Sequence, residues 1–255
     1  MGATRPPVPA MSGTGSSRTF SARSLHGLVA HDIGERIVHG DLQPGDLLPN
    51  QTSLFGGVTV SRTAYREAVK VLAAKGLIEA RPKSGTRVAA RSHWNLLDPD
   101  VLAWLFSGKP NPVLVKAIFE MRLIFEPATA AMAAVRRSPE QLREIEAAFQ
   151  AMVEAGGDAI FEADLRFHQA ILTASGNPLV ASLGMLIETA LLGSFRLTHV
   201  PPGAFLPDHE SVLESIAYQR PAEARERMDV LIKKAMQRVA DADRLLPDNL
   251  DEIGF

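Results

Sequence analysis

The chain has 255 residues, of which 46% are hydrophobic and 22% charged, with a formal net charge of −2. This is globular composition at a length that allows one large domain or two ordinary ones. There is no cysteine, which excludes disulfides, thiolate metal sites and cysteine nucleophiles and fits a cytoplasmic setting; no apolar run of roughly 18 residues occurs either, so no membrane span is expected.

The small net charge hides a division. Residues 25–91 carry nine Lys/Arg against six Asp/Glu, and within residues 62–91 the count is eight against two. After residue 91 the balance reverses, with fifteen basic and twenty-three acidic groups. A basic N-terminal module on an acidic body implies that the first part meets a polyanion.

In chain order, residues 1–22 are rich in Pro, Gly, Ser and Thr, lack the continuous apolar core of a secretory signal, and are expected to be a disordered tail. Leu25 to Val38 predicts a helix with Leu28, Val29, Ile33 and Ile37 as its buried stripe, broken by the Gly40–Gly45 segment. A short second helix is expected around Gln51 to Gly57, weakened by Gly56-Gly57. Ser61 is a good N-cap for a third helix running to about Lys75, with Gly76 at its left-handed end. Tyr65, Ala68, Val69 and Leu72 form its apolar face; Arg62, Arg66 and Lys70 lie four apart on another. Two short strands, Leu77 to Ala80 and Thr86 to Val88, flank a Pro82–Gly85 turn. Helix, turn, helix, cationic helix and basic hairpin make a winged helix-turn-helix, the form that presents itself to DNA.

A linker with Trp94 as a domain wedge and a short helix from Asp100 to Ser107 comes next. Everything after Pro112 reads as helix. Pro112 to Arg137 is one segment with Pro127 inside it, where a kink is expected. Ser138-Pro139-Glu140-Gln141 is a capping box opening a helix to about Ala155. Further helices are expected over Asp158 to Ser175, Pro178 to about Leu197, Asp208 to Gln219 and Pro221 to Leu245. The fold class is mainly α: residues 23–90 form the winged domain, 91–110 the linker and short helix, 111–246 an all-helical bundle, and 247–255 a tail.

The segments GDLLPN, VSRTAYREAVKVLAAKGLIE and SGTRV resemble the N-terminal domain of GntR-type transcription regulators. EMRLIFEPATA, DLRFHQAILTASGNP and DHESVLESI resemble the FCD effector domain of their FadR-like subgroup. The linker HWNLLDPDVLAWLF resembles that of repressors of galactonate and related sugar-acid catabolism. The likeness spans about residues 25 to 245 and implies a homodimeric repressor on a pseudo-palindromic operator, released by a small carboxylate, a sugar acid. Carried over by position, Ser61, Arg62, Thr63 and Arg66 are the recognition-helix contacts to bases and phosphates, and Lys83, Gly85 and Thr86 form the wing tip. Thr52 stands where some relatives place an arginine, which leaves operator sequence open.

The same resemblance makes Asp164, His168 and His209 ligands of a divalent metal, Zn, Ni or Mn, inside the bundle. Leu231 falls on the fourth ligand position, so a metal with three protein ligands and a metal-free polar pocket both stand. Arg122 matches the position that contacts an effector carboxylate, with an intrahelical pair to Glu126 as the alternative. Arg238 lies two turns beyond Leu231 and faces either the same cavity or solvent; Asn177 reads as a helix-terminus residue. The run Leu179, Val180, Leu183, Leu186, Ile187, Leu191, Leu192 is core or dimer seam. Two other readings remain: an effector-independent DNA binder, and a metal-dependent enzyme using the Asp164 cluster, against which no nucleophile or second carboxylate is placed by sequence.

Overall fold

A computed structural model describes residues 24–49, 60–81, 85–107, 111–156, 159–197 and 203–243. The expected second helix with Thr52, the turn at Pro82 to Ser84 with Lys83, and the tails over 1–22 and 247–255 lie outside these residues.

The first helix, α1, spans Leu25–Val38, with Ser24 accepting from the Gly27 N–H as its N-cap. Val29, Ile33 and Ile37 are buried as the spacing predicts, but Leu28 is 45% exposed. The buried stripe turns toward Ala30 and Gly34 instead. The cause is Trp104, whose ring lies so close to Gly34 that an added Cβ would fall within 3.0 Å of it.

The cationic helix, α2, spans Arg62–Ala74; the Ser61 hydroxyl accepts from the Ala64 N–H, and Lys75 is the C-cap. Gly76 then takes φ +73°, and a side chain there would run into the His93 carbonyl, so only glycine fits both demands. Ala68 and Leu72 are buried, while Tyr65 and Val69 pack half-buried against the core. Strands β1, Ile78–Arg81, and β2, Gly85–Val88, pair antiparallel with Ile78 opposite Val88. Leu47 adds a bridge to Arg87, and the Leu48 N–H donates to the Thr86 carbonyl, so the loop after α1 edges the wing.

Trp94 is buried, and its indole N–H donates to Ala89 within the winged domain itself. Trp94 thus packs on the winged domain, and the linker tryptophan that reaches α1 is Trp104. Its helix, α3, spans Pro99–Leu105, capped by Asp98.

The helical body comprises α4 (Pro112–Arg136), α5 (Pro139–Glu154), α6 (Ala159–Ala174), α7 (Pro178–Ala181), α8 (Gly184–Leu197), α9 (Leu206–Ala217) and α10 (Pro221–Asp243). No strand follows Val88 among the described residues. α4 runs unbroken through Pro127. The Ser138–Gln141 capping box forms in both directions. One expectation fails: Pro178 to Leu197 is two helices. Ser182 and Leu183 turn between them, with the Ser182 hydroxyl donating to the Leu179 carbonyl and the Leu183 N–H to Val180. A hydroxyl that satisfies a terminal carbonyl lets the first helix stop early.

α10 lies along α4 and α9, and α5 along α6. At the far end of α4, Arg136 donates to the Ser175 carbonyl after α6 and Arg137 to the Ile216 and Ala217 carbonyls at the end of α9. Two guanidinium groups thus bind carbonyls at the C-terminal ends of the two helices that carry the site described next. Leu186, Ile187 and Leu191 of α8 are buried, Ile187 and Leu191 against Leu165 and Leu172 of α6. Most of the apolar run packs into the core, while Leu192 is half-buried and Leu179 on α7 is exposed.

Candidate functional site

Two groups of candidate residues sit in opposite surroundings. Ser61, Arg62, Thr63 and Arg66 are all exposed on the first turns of α2. Arg62 and Arg66 make no ion pair among the described residues, whereas Lys70 is bonded to Glu67 at 2.8 Å. That bond holds the Glu67 carboxyl below its ordinary range. The N-terminal end of α2 adds its own free N–H groups to this cationic edge. Gly85 is exposed and Thr86 half-buried on β2. Arg87, beside them, is bonded to the Gly45 carbonyl at 2.7 Å and so stiffens the wing. The hydroxyl of Ser61 caps the helix and retains its proton for a phosphate oxygen.

The second group is inside the helical body. Asp164 and His168 on α6 and His209 on α9 are each at least nine-tenths buried. One carboxylate or ring-nitrogen atom from each lies within 4.8 Å of the others. His209 Nε2 is 2.9 Å and His168 Nε2 3.4 Å from the same atom, Asp164 Oδ1. The other nitrogens turn away from it: His209 Nδ1 is 2.8 Å from the Phe205 carbonyl, and His168 Nδ1 is 2.7 Å from Glu126 Oε2. A carbonyl accepts only, so the Phe205 contact puts the proton of a neutral His209 on Nδ1 and leaves a lone pair on Nε2, aimed at a carboxylate. Lone pair against anion is repulsive unless a proton or a metal ion sits between them. Phe167 and Phe205 stand edge-on to the imidazoles and fix their planes.

Glu126 is the hinge of this group. It is 2% exposed and contacts both His168 and the Arg122 guanidinium, through Arg122 Nε and Nη2. Burial pushes the Glu126 carboxyl up, but Arg122 and His168 outweigh it and hold it at about 2. Burial likewise acts against ionised Asp164, and the two histidines overcome it, so its carboxyl lies well below the usual range. For His168 burial lowers the pKa; Glu126 and Asp164 reverse this and raise it. Arg122 Nη1 and both ring nitrogens of His168 are buried with no directed hydrogen bond. His168 is close to its carboxylates in distance but off the ring-nitrogen axis. Such orphans cost free energy unless a ligand meets them.

Of the two readings of Arg122, the intrahelical pair with Glu126 is the one that forms, through Nε and Nη2, and Nη1 is the donor left over. Leu231 on α10 is buried, so α10 brings no ligand at that position. Arg238 is half-buried; burial lowers its pKa, and Asp208 and Asp164 act in the opposite sense. Asn177 caps α7, accepting from the Leu179 N–H at 3.0 Å, as a helix-terminus residue does. Glu126 as a bridge was not visible from spacing alone, although its place one turn after Arg122 is the signal that could have found it. The donor set suits a divalent metal: one carboxylate and two imidazoles on a common point, with His209 held from behind by the Phe205 carbonyl and a Glu126 oxygen 2.7 Å from His168 Nδ1.

Two family models match the chain: the bacterial regulatory proteins of the gntR family over residues 26–88 and the FCD domain over residues 117–234. The chain is 34% identical over 215 residues to the galactonate operon transcriptional repressor of Escherichia coli, covering 82% of this chain and 94% of that protein. It is 31% identical over 202 residues to the transcriptional regulator LutR of Bacillus subtilis, covering 75% and 90%. Among solved structures, Lar, described as controlling the Listeria monocytogenes agr system, is similar in fold at 20% identity and TM-score 0.57, covering 89% of this chain and 100% of that one. No described helix is long and apolar enough to cross a membrane.

Proposed function

This chain belongs to the gntR family of bacterial regulatory proteins and carries an FCD domain, and from that premise we propose that it represses a catabolic operon until a small carboxylate, a sugar acid, binds among α4, α6, α9 and α10. It is a DNA-binding transcription regulator; the sugar-acid reading is supported by its likeness to a galactonate operon repressor. The observation that carries the effector site is the buried convergence of Asp164, His168 and His209 beside the orphaned Arg122 Nη1. Asp164 and the Nε2 atoms of His168 and His209 would hold a divalent ion. A bound ion supplies Lewis-acid attraction for the oxygens of a hydroxy acid. Arg122 Nη1 then donates to the effector carboxylate, and Arg238 adds positive charge at the rim. A ligand held this way can act on DNA binding only if it favours one arrangement of the helices over another.

At the DNA end, Arg62 and Arg66 read base edges or phosphates, Ser61 and Thr63 fix the register, and Gly85 and Thr86 follow the backbone with the wing. A homodimer would set two such heads on a pseudo-palindromic site. α4 supports this: Val113, Met121, Ile124 and Val135 are exposed apolar residues on one face. Antiparallel pairing of two copies about Ile124 would set Val113 against Val135 and Ala117 against Ala131. Ile124→Glu should yield a monomer by light scattering; an unchanged dimer would place the seam elsewhere.

A metal-dependent enzyme is the weaker reading, because the ionised groups of the cluster are spent on one another. The deciding experiment is a thermal-shift screen of sugar acids with and without chelator, followed by gel-shift reversal with any acid that stabilises the protein. Stabilisation that chelator abolishes supports the metal site; stabilisation that survives it supports the metal-free pocket. An effector-independent binder would show neither.

A further inference from the structure

The linker segment Leu96–Phe106 has no part in either site so far, yet two of its carboxylates join a largely buried ion cluster with Lys75. Lys75, the C-cap of α2, is 5% exposed. Its Nζ lies 2.6 Å from Asp98 Oδ1 and 2.7 Å from Asp100 Oδ2, and 5.7 Å from the centre of the Trp104 ring. The same Asp98 oxygen accepts from the Asp100 and Val101 N–H groups and so caps α3. Trp104 in turn donates its indole N–H to His31 Nδ1 at 2.7 Å and fills the notch at Gly34 on α1. The Lys75 carbonyl accepts from the Asn95 N–H, and the backbone of His93 lies hard against Gly76.

We propose that Lys75, Asp98 and Asp100 are positioning residues for operator reading: they fasten α2 to α3, so that the DNA-contacting helix turns with the linker helix rather than on a flexible tether. The arrangement is specific. One ammonium is matched to two carboxylates from a different element, all three largely removed from water, where leaving any one unpaired is costly. The cation sits at the C-terminal end of α2 and the carboxylate at the N-terminal end of α3, so both helix dipoles favour the joint. α3 also touches α8 of the helical body, which gives a change in that body a solid element through which to turn the reading head. The proposal rests on α2 being the DNA-contacting helix and is independent of which effector binds.

The test compares the natural chain with the triple variant Lys75→Met, Asp98→Asn, Asp100→Asn. Asparagine at 98 keeps the cap of α3, and neutralising all three strands no charge. Because the chain has no cysteine, Ala80→Cys and Ala147→Cys give two clean spin-label sites, both exposed, one on the wing and one on α5. Labelled chain is diluted into unlabelled chain, and the distance distribution is read by pulsed electron spin resonance. The expected result is a narrow distribution in the natural triad and one at least two-fold broader in the variant. Binding to a single half-site duplex should stay within two-fold, since the reading surface is untouched. An equally narrow distribution in the folded variant overturns the proposal, and so does a broad one in the natural chain. Loss of half-site binding in the variant, with circular dichroism unchanged, would instead assign the triad a direct part in DNA contact and also overturn it.

Discussion

The reading head and the helical body carry their charges in opposite ways. On α2 the arginines are exposed and make no ion pair among the described residues. They keep their hydration until a phosphate or base edge replaces it, and holding them there costs the fold almost nothing. In the body, Arg122, Glu126, His168, Asp164 and His209 are buried, and every one touches another. A buried charge is tolerated only in such company. The exposed arginines of α2 therefore tolerate single substitutions that the buried cluster of the body does not, and the same residue type means different things in the two places.

The sharpest way to break this comparison is Arg122→Ala. It leaves Glu126 buried without its guanidinium and should destabilise the helical domain by about 3–5 kcal/mol, read as a lower denaturation midpoint. The double variant Arg122→Gln with Glu126→Gln should recover much of that stability while losing the effector response. Arg62→Ala should cost about 1–3 kcal/mol of operator discrimination and shift stability by no more than about 0.5 kcal/mol; footprinting and thermal melting check the two halves. Glu126→Gln alone should weaken divalent-metal binding about 10- to 100-fold, because His168 loses the carboxylate behind its Nδ1; calorimetry on chelator-treated protein measures it. Ser138→Ala removes one side of the α5 capping box and should cost about 1 kcal/mol, seen in the same denaturation experiment. Lys70→Ala should be the mildest. Its pair with Glu67 is solvent-exposed, so the melting temperature should hardly move, while the salt dependence of operator binding should fall by a slope of about 1 as one phosphate contact is lost.

How much of this was legible beforehand follows the same division. Helix ends announced themselves because caps are local: Ser61 with Gly76, and Ser138 with Gln141, are fixed by neighbours within a turn or two. The triad of Asp164, His168 and His209 was reached through resemblance, and the i, i+4 spacing supports only its first two members. What escaped were contacts between residues far apart in sequence. Nothing in the pattern pairs Lys75 with Asp98 and Asp100, or sends Trp104 to Gly34 rather than leaving Trp94 as the wedge. Leu28 was misplaced for that reason, since the arrival of α3 rotates the buried face of α1. The split between α7 and α8 was hidden because apolar content alone does not register a serine that satisfies its own helix end.

The measurement that bears most directly on the central claim is operator affinity in the presence of the two expected ligands. Chelator-stripped protein would be titrated onto a fluorescent operator duplex, with Zn²⁺, Ni²⁺ or Mn²⁺ and a panel of sugar acids added singly and together. The account predicts at least a ten-fold loss of affinity with one acid, dependent on Arg122 and absent in Asp164→Asn. If no acid moves the affinity, with or without metal, or if the loss persists unchanged in both variants, the buried cluster is not the input of this regulator.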